Sequence, residues 1–329
     1  MPGVRVFYGH DRVPGPDEPS AGGTSKFQKL EARFPNSPTD FTLLYLGSSG
    51  LPRDLRQLAW LAHRRKCPVV LNQDGVGYPG WAGPRTVEVN RPLRHALRAA
   101  DHVLYQSEFC RRSADVFLGP ATGASEVLYN AVDVERFQPP AAPPVDGPVL
   151  LLGGDQTQSY RLELALRTLA ALVPAEPEAR LLVSGRLVTD PSSLLDELGI
   201  RDRVEFVGRY SQAEAPALYG RANLLLHSKV NDPCPNVVLE AMACGLPVVF
   251  PASGGTVALV GDEAGVGVPH PDGFDRDEPP APEAMAEAVL SVVAGLDRYR
   301  EAARRRAVER FPLAPWLDRH AQLFETLVS

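Results

Sequence analysis

The chain has 329 residues, 44% of them apolar and 22% charged, and a formal net charge of −6. That length suits two domains of roughly 150 residues, the composition excludes an unfolded polar chain, and the acidic balance excludes a global basic field for nucleic acid. No apolar run resembles a secretory leader or approaches the ~20 residues of a membrane span, and Cys67, Cys110, Cys234 and Cys244 lack metal or disulfide-framework spacing, so a cytoplasmic protein with reduced thiols and no metal is expected. In chain order, short β-rich runs at residues 4–8, 41–46, 69–72, 103–106 and 126–129 alternate with helical patterns at 53–65, 93–100 and 108–118. QPPAAPPVDGP, from Gln138, stiffens the chain and reads as an interdomain linker. A second series follows, with strands at 149–152, 180–184, 204–207, 224–227 and 247–250 and a helix at 160–172. The proline-rich stretch 269–282 reads as a surface loop, and helices at 283–294, 297–310 and from Pro315 close the chain. Alternating strands and helices predict an α/β protein of two parallel-sheet units, 1–140 and 146–312, with the terminal helix 313–329 bracing the first.

The segment HSKVNDPCPNVVLEAMACGLPVVFPASGG, from His227, concentrates the chemistry. A strand runs into a polar loop, then a helix from about Asn236 to Cys244, a stop at Gly245 and a further strand after Pro247. Backbone N–H groups around Pro235, Asn236 and Val237 then stand at a helix N-terminus, where the helix leaves donors for an anion. Glu240 lies among Val237, Val238, Leu239, Ala241, Met242 and Ala243; a buried carboxylate there needs hydrogen-bond donors, and a ligand hydroxyl is one candidate, with a solvated face the competing reading.

Asp232, seven intervening residues, Glu240 and then AMACGLPVV resemble the signature of glycosyltransferase family 4, retaining enzymes of the GT-B fold, in which two Rossmann-like domains face each other across a cleft. The resemblance implies a nucleotide-sugar donor, UDP- or GDP-linked, with Glu240 on the ribose and Asp232 on the donor sugar. Asp stands at position 232 where the family usually has Glu. Gly22 and Gly23 are similar to the family's di-glycine loop beside the donor diphosphate, and Lys26, three residues on, is a candidate source of positive charge there. Gln73-Asp74 resembles a place where many members carry His-Asp. Glutamine cannot titrate, which excludes acid–base work at Gln73, and Asp74 is left to position an acceptor or simply to form a turn. The strand and loop RVEFVGRYSQ, from Arg203, resemble the nucleobase pocket and bring in Arg209.

One departure stands out. The family's Arg and Lys clamp on the diphosphate falls on GGDQTQSYRLELAL, at Asp155 and Tyr160. Arg161 and Lys229 are the expected substitutes, each also readable as a surface charge. The resemblance implies sugar transfer to an unidentified acceptor with retention, no prosthetic group and no metal. Two alternatives share the fold: a pseudoenzyme that binds nucleotide-sugar without turnover, and a nucleotide-sugar 2-epimerase. Arg91, Arg94 and Arg98 recur at helical spacing; such a face can touch anionic lipid, but the first reading is a solvated face and peripheral membrane contact is left open without being predicted.

Overall fold

The computed structural model describes residues 3–15, 18, 23–142, 144, 147–271 and 273–329. Two units emerge: residues 1–130 with 273–277 and 313–329, and residues 131–272 with 278–312.

In the first unit, β1 (Val6–Phe7), β2 (Leu43–Gly47), β3 (Val69–Gln73), β4 (His102–Tyr105) and β5 (Ala124–Val127) pair in sequence order, all parallel. Strands β2 to β4 are buried at every position, as a sheet covered on both faces requires. Helix α1 (Ser25–Glu31) follows β1. Helix α2 (Leu55–Arg64) joins β2 to β3, α3 (Pro79–Ala82) and α4 (Thr86–Ala99) join β3 to β4, and α5 (Glu108–Phe117) joins β4 to β5. Steps in one direction with right-handed crossovers place α2, α4 and α5 on one face. Their Leu58, Leu97 and Ala114 accordingly share one apolar cluster with Leu71 and Val103.

In the second unit the chain runs β6 (Val149–Leu152), α6 (Ser159–Leu172), β7 (Arg180–Ser184), α7 (Ser192–Leu198), β8 (Val204–Gly208) and α8 (Ala215–Tyr219). It continues through β9 (Leu224–Leu226), α9 (Asn236–Ala243), β10 (Val248–Pro251), α10 (Thr256–Val260), β11 (Gly265–Val268), α11 (Pro282–Ala294) and α12 (Leu296–Arg310). The strand order is β11-β10-β9-β6-β7-β8, all parallel. The winding reverses between β6 and β9, and the crevice beyond the carboxyl ends at such a switch point is where open α/β sheets bind ligands.

The last helix, α13 (Leu313–Val328), belongs to the first unit, where Trp316, His320 and Phe324 are buried and the Phe324 ring lies 5.7 Å from Tyr45. The stretch 269–282, expected as a surface loop, is irregular but not loose. Phe274 packs its ring 5.1 to 5.7 Å from Phe117, Tyr78 and Phe109, and its carbonyl accepts the Gly80 N–H at 2.8 Å.

Candidate functional site

Helix α9 ends as its sequence requires. Gly245 takes φ +74°, its N–H bonds the Met242 carbonyl, and the Leu246 N–H bonds the Ala241 carbonyl, both at 2.9 Å. The helix is buried from Val238 to Ala243, and Glu240 is only 5% exposed, which rules out a solvated face. Its carboxylate accepts the Tyr219 hydroxyl at 2.8 Å and the Gln212 amide at 3.3 Å. Burial and the neighbouring Glu240 charge push the Tyr219 phenol well above its ordinary range and raise Tyr210 to about 12, so both remain donors at neutral pH.

Asp232 lies in the loop after β9, with His227 Nε2 and Lys229 Nζ each 3.4 Å from its carboxylate. Burial pushes its pKa up, but Lys229, the adjacent His227 imidazole and Arg161 outweigh that and hold it far below the usual carboxylate range. His227 is buried and its pKa is lowered chiefly for that reason, with Asp232 opposing. The pair is therefore a carboxylate beside a neutral imidazole.

Strands β6, β7 and β8 each run out into a glycine of positive φ: Gly154 at +79°, Gly185 at +85° and Gly208 at +79°. A Cβ on Gly185 would meet the Gly154 carbonyl oxygen at 2.3 Å, and the Gly185 N–H donates to the Gly208 carbonyl at 2.7 Å. Three strand ends thus press backbone to backbone, which only glycine permits in this conformation. Gly153 and Gly154 are bordered by Val237, in the first turn of α9 behind Pro235 and Asn236. Gly208 and Gln212 lie in the stretch likened to the nucleobase pocket, with Tyr219 just beyond it; the sequence reading did not single out Gly154 or Gly185.

The expected phosphate cations are placed unevenly. Arg161 is buried and turned into the loop after β6, donating to the carbonyls of Asp155 at 2.7 Å and Gly153 at 3.4 Å, while its Nε meets no partner among the described residues. It braces that loop rather than offering an open guanidinium. Burial lowers its pKa, against the charges of Asp232, Tyr160 and Asp155. Tyr160, at the family's Lys position, accepts the Val230 N–H at 3.1 Å and ties α6 to the Asp232 loop. Lys229 remains about one-third exposed. Arg209 is well exposed at the end of β8 and pairs with Asp155 at 3.1 Å.

The first unit has its own polar cluster. Lys26, expected to lend charge to a donor, is instead buried and neutralised: its Nζ lies 2.9 Å from both Asp74 Oδ2 and Asn72 Oδ1. Asp74 accepts Ser48 Oγ and the Gly75 N–H on one oxygen, and Ser49 Oγ and Lys26 on the other. Its four acceptor sites are filled from within the chain, so it orients this cluster rather than presenting a bare carboxylate. Burial raises its pKa, yet Lys26 and the two serines bring it down to about 2. Gln106 and Asn130 extend the network from Asn72, while the buried Gln73 Oε1 has no partner among the described residues. Gly23 sits against Ser49, and Gly22 lies outside the described residues. Among the described residues, no three His, Cys, Asp or Glu side chains are grouped to hold a metal ion, and no helix is long and apolar enough to cross a membrane.

Comparison with known proteins places this geometry. The chain is 32% identical over 193 residues to a D-inositol 3-phosphate glycosyltransferase of Saccharomonospora viridis, across 53% of this chain and 45% of the relative. It is 21% identical over 217 residues to the phosphatidylinositol N-acetylglucosaminyltransferase gpi3 subunit of Schizosaccharomyces pombe, across 65% and 45%. The chain thus spans about half the length of these relatives. Among solved structures, Anabaena HepE in complex with UDP and glucose superposes with a TM-score of 0.67 at 18% identity, covering 87% of this chain and 78% of HepE. Sucrose-phosphate synthase of Thermosynechococcus elongatus gives 0.69 at 20% identity, covering 92% and 76%. The fold is therefore the GT-B type. The family model described as glycosyl transferases group 1 matches residues 133–309, more than half of the chain and all of the Asp232–Glu240 segment, and the chain belongs to that family.

Proposed function

We propose that the chain is a retaining glycosyltransferase that takes a hexose from a nucleoside-diphosphate donor held by the second unit. The observation that carries the reading is Glu240. It is a carboxylate buried in an apolar helix, oriented by Tyr219 and Gln212, beside the switch point of a parallel sheet. A buried, acceptor-only carboxylate at this position suits a ribose hydroxyl. The glycine strand ends and the α9 N-terminus at Pro235, Asn236 and Val237 suit a diphosphate, with Lys229 and Arg209 as the accessible cations. Arg161 serves by fixing the Gly153–Asp155 backbone. Asp232, kept ionised by its neighbours, suits the hydroxyls of the donor sugar.

In the reaction the bond from the anomeric carbon to the phosphate oxygen breaks, and the acceptor hydroxyl forms its bond on the same face. The leaving phosphate takes the acceptor proton. Ser49 is the exposed member of the cluster it forms with Lys26, Asp74 and Ser48, which we assign to the acceptor side. The reading needs no metal ion. UDP is favoured over GDP because HepE was solved with UDP and glucose. The four cysteines are all buried and unpaired, as a cytoplasmic setting allows.

A binding protein without turnover is the second reading, and one observation favours it: Arg161 directs its donors to backbone carbonyls instead of outward. Calorimetric titration with UDP, GDP, ADP and dTDP tests the donor site. Binding of one nucleotide, lost in Glu240→Ala, supports it; no binding at millimolar nucleotide would overturn it. Hydrolysis of the matching nucleotide-sugar, or transfer from it, then separates enzyme from binder.

A further inference from the structure

The outward faces of α2 and α4 carry a charge pattern unlike the rest of the chain. Residues 53–66 and 85–98 hold nine arginines and lysines against two carboxylates, Asp54 and Glu88, in a chain whose net charge is −6. None of the nine makes an ion pair among the described residues, whereas Arg33, Arg111 and Arg319 of the same unit each hold a carboxylate. Arg53, Arg56, Arg64, Arg65, Lys66, Arg85, Arg91 and Arg98 are exposed.

Apolar groups stand among these cations. Trp60 occupies the middle of the outer face of α2, 60% exposed, flanked one turn away on either side by Arg56 and Arg64; the Arg64 guanidinium lies 5.2 Å from its ring. Val87, 65% exposed, precedes Arg91 by one turn on α4. Trp81 on α3 is 50% exposed, leaving Trp316 as the one buried tryptophan of three. Because α2 and α4 cover the same face of the sheet, their outer faces look the same way. Arg94 leaves the face that its spacing suggested, donating instead to the Phe117 carbonyl at the end of α5 at 2.6 Å.

We propose that the outer face of α2 and α4 docks the protein on an anionic phospholipid bilayer. Unpaired arginines and lysines gain attraction from the negative surface potential of such a leaflet. Tryptophan is favoured at headgroup depth, where its ring is half desolvated and its N–H stays wet. A nucleic acid would use the cations and could stack a base on Trp60, but it offers Val87 no apolar counterpart, which the interface of a bilayer supplies. The proposal uses none of the residues assigned to donor or acceptor, so it stands or falls apart from the glycosyltransferase reading.

The test is co-sedimentation of the full chain with phosphatidylcholine vesicles, with and without one-third phosphatidylglycerol. Binding is expected to the mixed vesicles alone at low salt, weakened about tenfold in high salt as surface charges are screened. Arg56→Glu/Arg64→Glu is expected to lower the affinity at least about tenfold, and Trp60→Ala to lower it by a smaller factor. These side chains are exposed, and the melting temperature of each variant confirms its fold. Equal binding to both vesicle types, no binding to either, or binding unchanged in both variants overturns the proposal. So does displacement from the vesicles by a single-stranded oligonucleotide that binds the same face more tightly.

Discussion

Glu240 and Asp74 are both buried carboxylates, but their surroundings give them different work. Glu240 receives neutral donors, from Tyr219 and Gln212. Asp74 receives a cation and is saturated. Tyr219→Phe removes one bond that orients Glu240 and leaves the ring in place. Nucleotide affinity is expected to fall roughly fivefold, about 1 kcal/mol, with Glu240→Ala losing more. Calorimetry on the two variants checks this, and an unchanged Kd for Tyr219→Phe would remove Tyr219 from the site. Asp74→Asn leaves the Lys26 ammonium buried without its counterion, at a cost of about 3 kcal/mol in urea unfolding. Lys26→Met in the same chain is expected to restore part of that loss; a further loss would show that the ammonium is stabilised by Asn72 alone. Because the folded pKa of Asp74 lies at about 2, below its ordinary value, this stabilisation is complete above about pH 4 and disappears as the pH falls through 2.

At the scale of elements, α13 is held by an unusual buried histidine. His320 Nδ1 lies 2.9 Å from the Trp316 carbonyl, so it carries the proton, and Nε2 accepts the Tyr45 hydroxyl at 3.1 Å. Burial lowers its pKa to about 4, against an ordinary value of 6.5. The unfolded chain therefore takes up a proton between those values that the native chain refuses. Stability is full above about pH 6.5 and declines towards pH 4, by up to about 3 kcal/mol. Urea melts across that range should show a shallower decline in His320→Phe; an identical slope would assign the effect to other groups. Periodicity made most elements legible: residues 149–152 and 180–184 were expected as strands and are β6 and β7. It failed where glycine or proline is tolerated for tertiary reasons. β11 alternates glycine with valine and carried no strand expectation, yet pairs with β10. The helix expected at 93–100 begins instead at Thr86, with Pro92 inside it on its exposed side. The site was legible where it is contiguous, from Asp232 to Glu240. Gly208 and Gln212 fall in the stretch likened to the nucleobase pocket, with Tyr219 just beyond it, but Gly154 and Gly185 come from other segments, and no local pattern ties them to Glu240.

At the scale of the whole molecule, the first unit is not continuous in sequence. Its sheet comes from residues 1–130, but part of its core comes from α13 and from Phe274. Truncation after Pro312 would uncover Tyr45 and Phe34, against which Phe324 packs at 5.7 and 5.1 Å. The losses of Trp316, Leu323 and Phe324 are each worth several kcal/mol as large buried side chains, which together exceed the stability of a typical domain. The second unit loses nothing from its own core, because strands β6 to β11 and helices α6 to α12 lie wholly within residues 131–312. The truncated chain is therefore expected to show one unfolding transition in place of two, and to retain the nucleotide that binds the full chain. Calorimetric scanning with and without UDP distinguishes the outcomes. If the remaining transition shifts upward with UDP, the donor site is complete in the second unit. If both transitions vanish together, folding of that unit depends on the first, and the donor site is not autonomous.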